Sequence, residues 1–381
     1  MKDVTKIVVA MIGLAFAAPG EIPAAEGGAA PLAPKSTKPD LTEFAKARSE
    51  RRYVGVPHKV LAFYYTWYGT PQGHGKWVHW KEVNAEKREI SDSTHYPALG
   101  AYDSYDPEVI EQHITLAKSH GIDGFICTWW RQKDLHDIAL EKVLGIAAKR
   151  DFEISIYWET VQDAKKDTVK RAVSDMLYVL EKYGSHPAFL KVGGKPVIFV
   201  YGRVMKDVRP NLWPEIVTTI RSRSGKDFLL IADGYKESNA QVFDGIHTYS
   251  VARPISGKTP DEMRTYGRES FRNAVQMARK AGKISCLTVI PGYDDTKIRK
   301  PGLQTERHDG QTYGVLWEEA IAADPDWILV TSWNEWHEGS EIEPSHECGD
   351  KYLTMTAKYA SQFKKSPSSQ IKVVPAETGE R

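Results

Sequence analysis

Cysteine is nearly absent: Cys127, Cys286 and Cys348 are the only three in 381 residues. Three thiols make no disulfide framework, and Cys127 and Cys286 fall inside apolar runs, where a thiol serves as a small core side chain. An excess of one charge is missing too. Fifty-one basic and 50 acidic side chains leave a formal net charge of +1, without a long basic run. Nothing therefore supplies the positive field that holds nucleic acid or an anionic membrane, and neither is an expected partner. Three signatures of other chemistries are absent. There is no Gly-x-Gly-x-x-Gly turn after the first apolar run, so a nucleotide-binding sheet has no support. A paired-His zinc helix and a Gly-x-Ser-x-Gly elbow are also missing.

Long hydrophobic runs are confined to one stretch, Ile7 to Ala17, which is shorter than the roughly 20 residues a bilayer crossing requires. Lys2 and Lys6 precede it and small residues follow, which reads as an export signal over residues 1–25, cleaved after Ala17 or Ala25. Pro19, Pro23, Pro31 and Pro34 argue against a packed N-terminal helix. The expected location is secreted or periplasmic, with no membrane insertion after cleavage and no lipid anchor. Residues 26–57 change from Ala/Pro/Gly-rich to charged and read as a linker with one short helix; residues 364–381 read as a flexible tail.

Between these ends, 41% hydrophobic and 27% charged residues suit a globular domain with a sizeable core. Short apolar runs occur at Val60 to Tyr65, Gly124 to Trp129, Glu153 to Trp158, Pro196 to Tyr201, Phe228 to Ala232, Gly245 to Ser250, Ile284 to Ile290 and Trp327 to Thr331. Helical stretches separate most of them: Pro107 to His120, Asp134 to Lys149, Thr168 to Tyr183, Leu212 to Ser222, Pro260 to Ala281 and Tyr313 to Ala323, with Asp350 to Phe363 last. Asp106-Pro107 is a good helix start and Gly121 a good stop. Eight strand-like runs with intervening helices predict an α/β fold, a single-domain (β/α)8 TIM barrel over residues 58–363. An open doubly wound sheet is the alternative.

A barrel delivers its chemistry at the C-terminal ends of its strands, and rings and carboxylates gather there. The last run is followed by Thr331-Ser332-Trp333-Asn334-Glu335-Trp336-His337-Glu338-Gly339. Two carboxylates three residues apart among aromatics are suited to cleaving a glycosidic bond, which needs one group to protonate the departing oxygen and another to take a proton or stabilise charge. The same spacing occurs on exposed helix starts, but that would leave Trp333 and Trp336 in water. His337, Glu338, Glu341 and Glu343 form a secondary possibility, a metal cluster. Trp129-Trp130 leaves a strand, so one ring belongs to the core and the other to the mouth. Glu159 is either paired with an arginine or set in the cleft; Arg299 and Arg307 read as surface residues. Eleven Trp and 18 Tyr exceed core needs, and core packing accounts for about half of them.

Phe63-Tyr64-Tyr65-Thr66-Trp67-Tyr68-Gly69 with His79-Trp80, then Pro291-Gly292-Tyr293-Asp294-Asp295-Thr296, then the Trp333 to Gly339 motif with Ile342-Glu343, together resemble glycoside hydrolase family 99, the endo-α-1,2-mannosidase and endomannanase family. The resemblance runs in order over residues 58–363. It implies a (β/α)8 barrel, retaining cleavage of α-mannosides inside an oligosaccharide or polysaccharide, and neither metal nor cofactor; a monomer is expected. Glu335 matches the family's base, which deprotonates the sugar's own 2-hydroxyl to give a 1,2-anhydro sugar. Glu338 matches the acid that protonates the leaving oxygen, and a raised pKa is expected for it. Tyr68, His79, Trp80, Trp130, Glu159, Tyr249 and Arg299 match sugar contacts, with Trp130 stacking on the sugar at the far side of the cut; Trp333, Asn334 and His337 complete the expected binding set. Tyr157, Gly202-Arg203 and Trp333 depart from the family pattern and bear on which sugar is accepted.

Overall fold

A computed structural model describes residues 50–365 apart from Val54; the expected export signal, residues 26–49 of the expected linker and the expected tail beyond 365 lie outside the described residues. Eight strands are paired in parallel: β1 (Lys59–Tyr64), β2 (Gly124–Trp129), β3 (Glu153–Trp158), β4 (Lys195–Val200), β5 (Leu229–Asp233), β6 (Gly245–His247), β7 (Ile284–Val289) and β8 (Trp327–Val330). Each pairs with the next, and β8 returns to β1 with Leu329 opposite Leu61, so the sheet closes on itself. The open sheet is thereby ruled out. Closure removes both sheet edges, which is why β-branched and aromatic runs without protective charges are tolerated here.

Alternation along each strand divides the core in two. On β1, Leu61 and Phe63 point inward and join Val197, Phe199, Ile231 and Leu329 in the barrel interior. Val60, Ala62 and Tyr64 point outward to the helices. Trp327 fills the base of the interior, and its indole N–H donates to the Pro57 carbonyl at 3.2 Å. Cys127 and Cys286 are buried and unbridged, one in each layer.

The outer ring consists mainly of α1 (Pro107–Ser119), α2 (Leu135–Lys149), α3 (Ala164–Lys182), α4 (Trp213–Ser224), α5 (Glu237–Val242), α6 (Pro260–Ala281), α7 (Gln311–Ala323) and α8 (Lys351–Lys365). The Asp106 carboxylate caps α1 by accepting from the Glu108 N–H, and Thr259 with Glu262 forms a reciprocal capping box on α6. Gly121 follows α1 at φ +84°, a conformation that suits glycine.

Ordered contacts reach beyond both expected boundaries. Within the predicted linker, Arg51 bonds Asp227 at 2.9 Å and the Tyr53 N–H donates to the Gly282 carbonyl at 2.8 Å, tying this segment to the barrel. At the other end α8 continues to Lys365, and Lys364 donates to Gly121 and Asp123, both at 2.7 Å.

Candidate active site

The loop leaving β8 is held on three sides. The Trp333 N–H donates to the Phe63 carbonyl at 2.8 Å, extending the β8–β1 pairing beyond the strand. Asn334 continues it with its side chain: Oδ1 accepts from the Tyr65 N–H at 2.7 Å, and Nδ2 donates to the Tyr65 carbonyl at 2.9 Å and to the Tyr102 hydroxyl at 3.0 Å. Ser332 Oγ accepts from the Glu335 N–H at 2.7 Å, and the backbone then makes one 3₁₀ turn, Trp336–Glu338. The Tyr68 hydroxyl accepts from the Trp336 N–H and donates to the Asn334 carbonyl. This clamping decides where both acids point.

Glu335 and Glu338 line one cavity of about 190 Å³ at the C-terminal mouth of the barrel. Their surroundings differ. Glu335 is 3% exposed, and its Oε1 lies 3.4 Å from Nδ1 of His337. Burial pushes its pKa up to about 7, with His337 opposing and the like charge of Glu338 assisting. Glu338 is more open, and both terminal nitrogens of Arg299 lie 3.0 Å from its Oε1. Its Oε2 accepts from the Tyr249 hydroxyl at 3.2 Å, and that hydroxyl accepts from Tyr65 at 2.6 Å. Glu159, on the same cavity, is raised as well: burial pushes it up to about 8 against the opposing charge of Arg203.

Of the residues expected at the site, Glu335, Glu338, Trp130, Glu159, Tyr249 and Arg299 line the cavity. Trp129 is buried in the outer core while Trp130 faces the mouth, as their position at a strand end requires. Trp130 carries the Arg203 guanidinium 4.7 Å from its ring centroid. The other expected sugar contacts stand behind the wall. Trp333 is fully buried, packed against Phe125 and His113, and the expectation that it touches sugar is corrected: its ring has no free face. Trp80 is buried with its ring stacked 3.9 Å from Tyr68 and its N–H on the Tyr102 carbonyl. Tyr68 and Asn334 spend their polar atoms on the clamp described above. His337 supports Glu335, and exposed His79 stacks on Trp67 at 4.5 Å.

The four residues of the metal alternative are drawn to different partners. Glu341 pairs with His95 and Arg307, and Glu343 accepts from Tyr102 at 2.8 Å and lies 3.1 Å from His113. Among the described residues, no group of three or more His, Cys, Asp or Glu is arranged to hold a metal ion. Arg307, read as a surface residue, is instead half-buried over the Tyr352 ring and paired with Glu341.

Tyr65, Trp67, Tyr157, Tyr201 and Arg203 also line the cavity. The sequence marks Tyr157 and Arg203 only as departures from the family pattern, and Tyr65 and Trp67 only as parts of a motif. Period-two alternation could have separated pocket-facing Tyr65 from Tyr64, which stacks on Phe125 in the outer core. Tyr201, Tyr249, Arg299 and Glu338 are shared with an adjoining cavity of about 320 Å³, so the acids lie along a cleft. A larger cavity of about 540 Å³ sits at the opposite face, beside the N-terminal ends of β1 and β3, away from these groups.

A closed barrel with two carboxylates in a ring-lined cleft at its C-terminal mouth defines a carbohydrate-active hydrolase. Residues 56–365 match Glycosyl hydrolase family 99, and the chain belongs to that family. It is 30% identical to the rat (Rattus norvegicus) glycoprotein endo-alpha-1,2-mannosidase over 337 residues, covering 77% of this chain and 70% of the relative. A zebrafish (Danio rerio) glycoprotein endo-alpha-1,2-mannosidase-like protein is 28% identical, covering 81% and 79%. Among solved structures, the family 99 endo-alpha-mannosidase of Bacteroides thetaiotaomicron superposes with a TM-score of 0.68 at 28% identity, covering 81% of this chain and 98% of that one. The chain is thus a glycoside hydrolase.

Proposed function

We propose that this hydrolase is exported and cleaves internal α-mannosidic bonds, α-1,2-linked ones first, in an oligosaccharide or polysaccharide, retaining anomeric configuration and acting as a secreted or periplasmic monomer without a cofactor. The observation that carries the reading is the convergence of Glu335 and Glu338 in one cleft with opposite environments, one buried against an imidazole and the other open and held by a guanidinium.

Two carboxylates in one cleft can divide two roles between them. In an α-mannoside the 2-oxygen and the leaving oxygen are trans-diaxial, so the sugar can displace its own leaving group from behind. Glu335 takes the 2-hydroxyl proton as that oxygen bonds to the anomeric carbon; Glu338 gives its proton to the departing oxygen, and a 1,2-anhydro sugar results. Glu338 then takes a proton from water as the water opens the three-membered ring, and Glu335 returns its proton to the 2-oxygen. Two inversions amount to retention. Tyr249 and Arg299 fix the Glu338 carboxyl throughout, and a fixed group loses less to reorganisation.

The test is a panel of mannan oligosaccharides of defined linkage, with products sized by mass spectrometry and the first-formed anomer read by NMR. The expected result is oligosaccharide products from α-1,2-linked chains, first appearing as the α-anomer, at a rate that chelator does not change. Release of mannose from chain ends alone, or a first-formed β-anomer, overturns it.

A further inference from the structure

The His79 carbonyl decides the tautomer of His337. Its oxygen lies 2.6 Å from Nε2, and because a carbonyl only accepts, Nε2 carries a hydrogen. The titratable proton of the ring consequently belongs to Nδ1, which stands 3.4 Å from Glu335 Oε1. On the far side of the ring Asp92, 5% exposed, places Oδ2 3.5 Å from Nε2. Its other oxygen accepts from the Lys81 N–H at 3.3 Å. Asp92, His337 and Glu335 thus form a buried row of alternating sign when the imidazole is protonated.

Resting on the reading of Glu335 as the base, we propose that His337, held cationic by Asp92, is the positioning residue that keeps the buried Glu335 carboxylate ionised and ready to accept a proton. Burial alone would leave Glu335 a neutral acid, unable to take a proton from a sugar hydroxyl. Among the described residues, His337 is the only cationic partner within 4.0 Å of it. The other groups turned toward the pair do not replace it. From the end of β1 come the neutral phenols Tyr65 and Tyr68, and from β6 comes Tyr249. Glu338 on the same loop acts as a like charge, Glu159 at the end of β3 is a buried carboxyl raised to about 8 and brings no positive charge, and Arg299 is spent on Glu338 and Asp295. His79 of the β1–α1 connection and His136 of α2 sit against the Trp67 ring, and the exposed Lys81 side chain reaches the same Asp92 oxygen, Oδ2, from solvent at 3.8 Å. Burial works against a charge on His337, yet Glu335 and Asp92 together raise its pKa above the ordinary histidine value.

The experiment is the pH dependence of kcat/KM on an α-mannoside oligosaccharide for the full chain, His337→Asn and Asp92→Asn. Asparagine keeps a short donor near Glu335 without the charge. The expected result is an acidic limb moved up by about one pH unit in His337→Asn, which is about a tenfold loss below the limb and recovery above it. Asp92→Asn moves it the same way by less. In parallel, 15N NMR of histidine-labelled protein reads His337 directly, with an imidazolium expected at pH 6 and the Nε2–H tautomer at high pH. An acidic limb that stays in place while activity falls equally at every pH, or a neutral His337 at pH 6, overturns the proposal. If His337→Asn does not fold, Asp92→Asn and the NMR decide. A wild-type chain inert on every α-mannoside would instead remove the substrate reading, and the NMR would still judge the row itself.

Discussion

Arg299 grips Glu338 from the solvent side: both terminal guanidinium nitrogens lie 3.0 Å from Oε1, while the same group reaches Asp295 and the Tyr293 hydroxyl. The arginine is anchored on the β7–α7 connection, so the position of Glu338 depends on a segment remote from its own loop in sequence. A planar guanidinium facing one carboxyl oxygen leaves the other, Oε2, to Tyr249 and to substrate.

Arg299→Met should separate this role from stability. The arginine side chain is 50% exposed, so its removal leaves the core intact, and the melting temperature should stay within about 2 °C of wild type. Loss of the clamp frees the Glu338 rotamers, and kcat should fall about 100-fold with a smaller change in KM. Steady-state kinetics and a thermal melt check both. An unchanged kcat would mean that Glu338 needs no fixing.

Glu335→Gln and Glu338→Gln should each abolish measurable turnover of α-mannosides while oligosaccharide binding persists. Glutamine fills the same space in both places and can still accept a hydrogen bond. Calorimetric titration with an oligosaccharide, beside a turnover assay, distinguishes lost chemistry from lost binding. Near-native turnover by either variant would remove the role assignment.

The barrel was legible because apolar runs with period-two alternation, cut by capped helices, leave little else to build. β2, β3 and α6 occupy the residues that their composition indicated. β6 ends at His247 rather than Ser250, because Tyr249 leaves the sheet to reach Glu338. α3 begins four residues early, with an irregular backbone at Asp167. At the site, the two acids could be read since they sit in one short motif. What could not be read was which rings of that motif meet solvent: Trp333, Trp336, Trp80 and Tyr68 are as aromatic as Trp67 and Trp130, but their burial is set by strands and loops far away in sequence. Arg203 escaped for a related reason, since only the fold brings it over Trp130.

Trp333 puts that distinction to a measurement. Fully buried between Phe125 and His113, it should matter for stability and not for sugar affinity. Trp333→Ala should cost about 3–5 kcal/mol in unfolding free energy, and Trp333→Phe markedly less. Denaturant unfolding measures the cost, and KM for Trp333→Phe should match wild type. A severalfold rise in KM without loss of stability would return the ring to the binding site.

Glu159 gives a pH dependence whose sign can be worked out beforehand. Its ordinary pKa of 4.5 is raised to about 8 in the folded protein, with burial as the largest cause. Below pH 4.5 the carboxyl is protonated in folded and unfolded chains alike, and its contribution is fully present. As pH rises from there to about 8 the unfolded chain loses the proton while the folded one keeps it, so stability declines across that window and levels off above it. The whole window amounts to a penalty of about 5 kcal/mol at most. Glu159→Gln has no proton to lose, so its melting temperature relative to wild type should climb by at least about 3 °C between pH 5 and pH 9. Glu335 titrates in both proteins and largely cancels from the difference. Melting curves that stay parallel over this range would mean that Glu159 is ionised in the cleft, where it would meet a sugar as a hydrogen-bond acceptor; the predicted divergence leaves it a neutral donor at pH 7.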